Sequence, residues 1–304
     1  MKKENYDVII IGAGPAGLTA GLYSARNGLK TAIISKDIGG TANSILLLEN
    51  WPGFKGNGTE LMKKFYENLK DYDIDFIMSE ADLIKKDGNG FLIKTKKGEI
   101  KTKSIIISTG TERRKLGIPG EEKFIGKGVS YCVTCDAFFF KNKIVGVIGG
   151  SDCAAISAVA IADLAKKTYV FYRGEKLRCE EINAERLEKN ASVKIFYNAI
   201  PVKILGKEKV EGLIIKEKGK EKEIKLDGIF VEIGATPITE FAKGLDLKTD
   251  KENYIIVDDE MKTSVRGIFA AGDVTNSKLK QVVISSSQGA IAAKSAHEYL
   301  KSAN

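Results

Sequence analysis

The stretch Tyr6-Asp7-Val8-Ile9-Ile10-Ile11-Gly12-Ala13-Gly14-Pro15-Ala16-Gly17 decides the fold. An apolar run of strand length enters a glycine turn. Small and apolar residues from Ala16 to Arg26 then continue as a helix, followed by a second apolar strand, Thr31 to Ser35. This is a βαβ opening, and its turn reads Gly-x-Gly-x-x-Gly. Gly12 permits the tight turn, Gly14 lets backbone N–H groups approach a pyrophosphate, and Gly17 lets helix and strand pack closely. The helix N-terminus adds partial positive charge toward an anion. Gly12, Gly14, Pro15, Ala16 and Gly17 are therefore expected to cradle a dinucleotide. The acid that usually holds the ribose hydroxyls would fall near Ser35, a weaker partner than a carboxylate, and Asp37 lies slightly too far along.

The same grammar returns 137 residues later: a strand Lys143 to Ile148, the turn Gly149-Gly150-Ser151, a helix from about Cys153 to Lys166 and a strand Thr168 to Tyr172. The chain thus holds two nucleotide-type units rather than a short-period repeat. In the second turn, Gly149 and the small residue Ala154 keep the pattern, with Asp152 between them, but Ser151 stands where the backbone must approach the phosphates. A working nucleotide site and an idle retained fold are both open there. Arg173 and Arg178 follow the second strand, where a 2′-phosphate would lie, and Arg forks grip phosphate with two prongs.

Two stretches read as linkers, Thr109 to Gly120 and Gly234 to Gly244. They bracket a central segment of 115–242, and the outer pieces 1–114 and 243–304 are expected to form one discontinuous domain. The fold class is α/β: two doubly wound Rossmann-like three-layer domains, the second inserted into the first.

The chain has 304 residues, 43% hydrophobic and 29% charged, the profile of a globular protein. Its net charge of +8 comes from 48 Lys and Arg against 40 Asp and Glu, and only seven of the 48 are Arg. Scattered Lys favours solubility, and no window shows the clustered Arg and interleaved aromatics of a nucleic-acid groove. The densest basic stretch, Lys94 to Lys103, sits among turn residues and reads as a solvated hairpin. Val8 to Ala25 is uncharged, but its glycines interrupt it, and Glu4 and Asp7 stand where an export signal would be basic. A membrane or secreted protein is not expected, and the setting reads as cytoplasmic. With only four cysteines, any disulfide should be a working one.

Cys132-Val133-Thr134-Cys135-Asp136 is the sharpest signal. Two thiols separated by two residues can close a disulfide at a helix start, where the dipole and unpaired N–H groups favour a thiolate. Half a zinc site is the competing reading. Zinc needs two more ligands, and the chain offers only isolated Cys153, Cys179 and its one histidine, His297, so no metal is assigned. Asp136 is placed to exchange protons with the thiols, or to serve only as a helix N-terminal carboxylate. Cys153 and Cys179 read as small buried fillers.

Together with Gly12 to Gly17, Glu49-Asn50-Trp51-Pro52-Gly53-Phe54, Ser108-Thr109-Gly110, Gly117 to Gly120, Gly272-Asp273-Val274 and Lys280-Gln281, this motif gives the chain a resemblance to the low-molecular-weight thioredoxin reductases over nearly its whole length. The resemblance implies an FAD domain built from both chain ends and an inserted pyridine-nucleotide domain carrying the redox pair. It implies that Asp273 holds the flavin ribityl chain and that Asn50 lies along FAD. It also implies that Lys280, Gln281 and Val282, at the start of the last helix, sit at the flavin, where a helix N-terminus would stabilise the charge of the reduced ring. Ser35, Gly40, Thr41, Thr109, Gly110 and Gly272 join that cofactor set. By the same analogy Cys135 faces the flavin and Cys132 attacks the disulfide of thioredoxin or a similar small redox protein. A homodimer is implied.

The chain also differs from the family pattern. Gly39-Gly40-Thr41-Ala42 replaces Gly-Gly-Gln-Leu, Lys280 replaces an arginine, and Gly174 removes the middle arginine of the phosphate motif beside Glu175. NADPH is thus expected to be a weak donor with modest preference over NADH. The alternative is a flavin dithiol reductase fed by ferredoxin or a reduced deazaflavin; a non-catalytic flavin-binding protein is a third reading that the intact Cys-x-x-Cys-Asp opposes.

Overall fold

The structure is a computed structural model and describes residues 5–45 and 47–302. Met1 to Glu4, whose charges entered the export-signal reading, lie outside the described residues, as does the side chain of Thr134. The chain divides into two compact units, Met1–Glu112 with Thr236–Asn304, and Arg113–Ala235.

In the first unit the parallel strands Ile74–Met78, Thr31–Ser35, Asn5–Ile11 and Gly98–Ile107 lie side by side in that order. The other edge of Gly98–Ile107 pairs first with antiparallel Gly90–Thr95, which leads on to Ala81–Asp87, and then with parallel Ile268–Ala270. Asn5–Ile11 is apolar on both sides because both of its faces are covered. Ile9 and Ile11 pack with Ile84, Phe91, Phe241 and Ile255. Val8 and Ile10 point the opposite way, to Leu18, Leu61, Phe269 and Ala292. Full burial of each such side chain contributes about 1.5–3 kcal/mol. Helices Pro15–Arg26, Gly58–Leu69 and Val282–Ser302 supply this second layer. Gly58–Leu69 starts where it does because Asn57 Oδ1 accepts from the Glu60 N–H at 2.9 Å while Glu60 reaches back to the Asn57 N–H.

Register positions the site. Ile11 lies beside Ile34 and Ile107, and Ile107 beside Ala270. The next residues, Gly12, Ser35, Ser108 and Ala271, therefore form one row at the carboxyl edge of the sheet.

The second unit repeats the plan with parallel strands Val129–Ser130, Gly228–Val231, Ile144–Ile148, Lys167–Phe171 and Val193–Phe196. Its antiparallel sheet, Ala199–Leu205, Gly212–Glu217 and Lys220–Lys225, shares a core with the parallel one through Phe171, Leu213, Ile215 and Ile229. The row at its carboxyl edge is Glu232, Gly149, Tyr172 and Tyr197, with Tyr131 one step back, level with Val231.

The stretch Gly234 to Gly244, expected as a linker, differs from that expectation. It leads into a 3-10 helix, Glu240–Leu245, whose Phe241, Ala242 and Leu245 are buried on the first sheet. Glycine and proline punctuation masked this short apolar face. Among the described residues no helix is long and apolar enough to cross a membrane.

Candidate active site

The first crevice is open where a phosphate would enter. Gly12 takes φ +106°, and a side chain there would run into the Ser108 carbonyl. A Cβ on Gly17 would collide with the Gly12 carbonyl, so strand, turn and helix touch backbone to backbone. At Gly14, by contrast, the nearest atom to such a Cβ is the Gly39 oxygen at 3.9 Å. Gly14 N-caps Pro15–Arg26, with no side chain capping the helix and no acid in its first turn. The N–H groups of that turn are thus left for a ligand. Facing it, Gly39 and Gly40 adopt positive φ, and Asp37 is held by the Gly40 N–H at 2.9 Å, which leads into the 3-10 turn containing Thr41. Ser35 is half-buried at its strand end. Thr109 Oγ1 donates to the Ile238 carbonyl at 2.7 Å, ahead of the positive-φ Gly110.

The last helix closes the same edge. Gly272 N–H donates to Gln288 Oε1 at 2.8 Å, and Asp273 Oδ1 accepts from Ser285 at 3.2 Å. Burial pushes the Asp273 carboxyl up, against the opposing pull of Lys280 and Ser285. Lys280 Nζ reaches the carbonyls of Asp273 and Thr275 and lies 3.9 Å from the Tyr254 ring centre. Burial lowers its pKa, while Asp273 favours its charge. Asn50 donates to Gln281 Oε1 at 3.0 Å, and Val282 is the buried first residue of the helix. Gln288, Ser285 and Tyr254 had no motif to announce them.

In the second unit Val129–Ser130 delivers Cys132 to the carboxyl edge. Cys132 and Cys135 are joined as a disulfide with Cα atoms 5.3 Å apart. Cys132 caps the short helix Val133–Asp136, and its sulfur accepts from the Cys135 N–H at 3.3 Å. That contact favours charge on Cys132 after reduction. Asp136 donates its N–H to the Cys132 carbonyl at 3.1 Å, so one turn carries both sulfurs and the carboxyl. Cys135 is exposed; Cys132 and Asp136 are half-buried. Tyr131 is anchored by its hydroxyl to buried Glu121 at 2.6 Å, and Glu121 also accepts the Leu116 and Gly117 N–H groups. Burial and then Glu121 push the Tyr131 phenol far up. Just beyond the disulfide, Phe138 and Phe139 are 72% and 69% exposed.

The glycine turn of this unit is more crowded. The Tyr172 ring lies against both Gly150 and Gly174, so a side chain at either would run into it; this accounts for glycine at the missing-arginine position. Arg178 N–H donates to the Gly150 carbonyl at 2.7 Å and bridges to Ser151, which offers its helix no side-chain cap. Asp152 is engaged by the Glu180 N–H and by Asn183. Arg173 and Arg178 are exposed. Cys153 is also exposed and Cys179 half-buried, so neither is the buried filler expected from its residue type. Cys153 is the second residue of helix Asp152–Ala162. Desolvation of the sulfur and then Glu232 push its thiol up, with the Arg113 guanidinium opposing.

The model for pyridine nucleotide-disulphide oxidoreductases matches residues 6–289. A thioredoxin reductase of Treponema pallidum is 40% identical over 303 residues, 98% of either chain. The chain belongs to the thioredoxin reductase family. The crystal structure of Lactococcus lactis thioredoxin reductase agrees with a TM-score of 0.96 at 37% identity, covering 98% of this chain and 99% of that one. A ferredoxin-flavin thioredoxin reductase from Clostridium acetobutylicum is 32% identical over 99% of both chains, with a TM-score of 0.56. This thioredoxin reductase family member is a flavoprotein disulfide oxidoreductase with two Rossmann-like domains, one inserted into the other. The first crevice fits FAD: its helix start is uncapped, Gly14 leaves room for a pyrophosphate, and the half-buried Asp273 lies at the same edge.

Proposed function

We propose that this chain is an FAD-dependent reductase of thioredoxin or a similar small redox protein, acting through the Cys132–Cys135 disulfide, with NADPH as a weak donor. The observation that carries the reading is the disulfide itself, set on one turn with Asp136 and followed by an exposed aromatic pair. Exposed Phe138 and Phe139 beside a redox centre suit a protein substrate, since aromatic anchors contribute most to protein contacts. FAD, when bound, supplies a two-electron carrier between donor and disulfide. Gly12, Gly14, Pro15, Ala16 and Gly17 would hold its pyrophosphate, Asp273 its ribityl hydroxyls, and the start of Val282–Ser302 its ring.

In the dithiol state the Cys132 thiolate attacks one sulfur of the partner's disulfide. The partner's other sulfur leaves and takes a proton from the Asp136 carboxyl. Cys135 then gives its proton to the Asp136 carboxylate and attacks Cys132 in the mixed disulfide, re-forming the internal bond; the partner's second sulfur leaves and takes that proton from Asp136. Two electrons and two protons reach the partner. A cytoplasmic homodimer completes the proposal. The family resemblance supports the dimer, and two free cysteines beside a working disulfide suit a reducing compartment.

A second reading concerns the donor. Tyr172 over Gly150, the glycine at 174 and the similarity to a ferredoxin-flavin thioredoxin reductase favour ferredoxin or a reduced deazaflavin. Anaerobic titration of the flavin spectrum separates the two. Bleaching by NADPH supports the first reading; bleaching by ferredoxin or deazaflavin while NADPH and NADH leave the spectrum unchanged replaces it with the second.

A further inference from the structure

The carboxyl edge of the second sheet holds a charge pair, a buried Glu232 and a half-buried Arg113, that disulfide exchange does not call on. Gly228–Val231 lies between Val129–Ser130, which runs into Cys132, and Ile144–Ile148, which runs into the glycine turn. From Ile144–Ile148 the chain winds one way through Lys167–Phe171 and Val193–Phe196, while Gly228–Val231 returns on the opposite side. In doubly wound sheets ligands sit at this reversal.

Glu232 stands at that point, 4% exposed. Its N–H donates to the Ile148 carbonyl at 2.8 Å. One carboxylate oxygen accepts from Ser157 at 3.0 Å and the other from Arg113 Nη1 at 2.6 Å. A buried ion pair is weak evidence of stabilisation, since an apolar filling commonly does as well. What this one supplies is a fixed guanidinium. The Arg113 side chain is 31% exposed and also neighbours Cys153, the second residue of helix Asp152–Ala162. It therefore lies at the first turn of that helix, which the glycine turn Gly149 to Ser151 leads into. A guanidinium has five N–H donors, and Glu232 occupies only one arm. The carboxylates of Asp152 and Glu232 are both hydrogen-bonded within the unit.

We infer that Arg113, held in place by Glu232 and Ser157, binds the pyrophosphate of a nicotinamide dinucleotide at the Gly149–Ser151 turn. This rests on the reading of that turn as a nucleotide site. The pyrophosphate is common to NADPH and NADH, whereas Arg173 and Arg178, beyond the end of Lys167–Phe171, address the 2′-phosphate that only NADPH carries. Arg113 would offset the poorer backbone approach at Ser151. Glu232 is a positioning residue: it touches the arginine, not the ligand.

Calorimetric titration of the oxidised, FAD-loaded protein with NADP+ and with NAD+ tests the assignment. The informative variant is the double Arg113→Met, Glu232→Gln, which leaves no unpaired buried charge; FAD content and a thermal melt check its fold. Its Kd should rise about ten- to a hundredfold for both nucleotides. Arg113→Lys keeps the charge but loses the fork, and should weaken both by a smaller factor. Arg173→Gln should weaken NADP+ alone. A folded double variant with both Kd values within twofold of the parent overturns the inference and leaves the nucleotide reading intact. Loss confined to NADP+ also overturns it, by moving Arg113 to the 2′-phosphate. A parent protein that binds neither nucleotide overturns the inference and the reading together.

Discussion

A half-buried Asp273 carboxyl meets a Ser285 hydroxyl and the Lys280 ammonium at the edge where FAD is proposed to lie. Burial outweighs its two partners, so its folded pKa stands above the ordinary 3.8. The folded protein then keeps a proton that the unfolded chain has already lost. The stability contributed by this group is full below 3.8 and declines as pH rises through the folded value. Asp273→Asn removes that decline. In urea melts of the FAD-free protein, the stability difference should move in favour of the variant as pH rises from about 4. A difference that stays flat with pH contradicts the assignment. Asp136 shares one turn with both sulfurs. Asp136→Asn should slow thioredoxin reduction by about 10² to 10⁴ with FAD content unchanged; an unaltered turnover number returns Asp136 to a helix-end role. Residues such as these were legible because they stand beside motifs. Glu232 and Arg113 were not, because their meeting joins positions 119 apart in sequence and no local pattern marks either. The exposure of Cys153 was hidden for a related reason: residue type says what is common, and the shape of the turn decides.

At the level of elements, the first and last helices approach to backbone distance at Gly289. A Cβ on Gly289 would strike the Ala16 carbonyl, and one on Gly272 would lie 2.9 Å from the Ala16 side chain. This close packing brings the start of Val282–Ser302 to the edge occupied by Gly12 and Gly14. Alanine at 289 gains about 1 kcal/mol of helix propensity. It must also push two helices apart, an overpacking cost of about 1–3 kcal/mol. Because the obstacle is backbone, the clash should prevail: Gly289→Ala is expected to lower the melting temperature and the FAD retained on gel filtration. A variant that melts at or above the parent temperature contradicts this packing account. Strand–turn–helix units were readable from sequence because a buried strand and a glycine turn each leave a local signature. Glu240–Leu245 was not, since its apolar face spans only Phe241, Ala242 and Leu245 between turn-forming residues.

For the molecule as a whole, the division into two units follows from the repeated strand–turn–helix grammar. What the chain does depends on the one turn that carries Cys132, Cys135 and Asp136. Neither crevice alone performs disulfide exchange; the cysteines give the electrons a covalent exit. The two free cysteines offer a control, because Cys153 is exposed and sits in the same unit as the disulfide. The most direct test is to trap the intermediate. Reduced Cys135→Ser protein is mixed with oxidised thioredoxin under anaerobic conditions, and the adduct is mapped by mass spectrometry. The account predicts a mixed disulfide at Cys132, and loss of that adduct in Cys132→Ser. An adduct at Cys153 or Cys179, or full-rate thioredoxin reduction by Cys132→Ser, would contradict it.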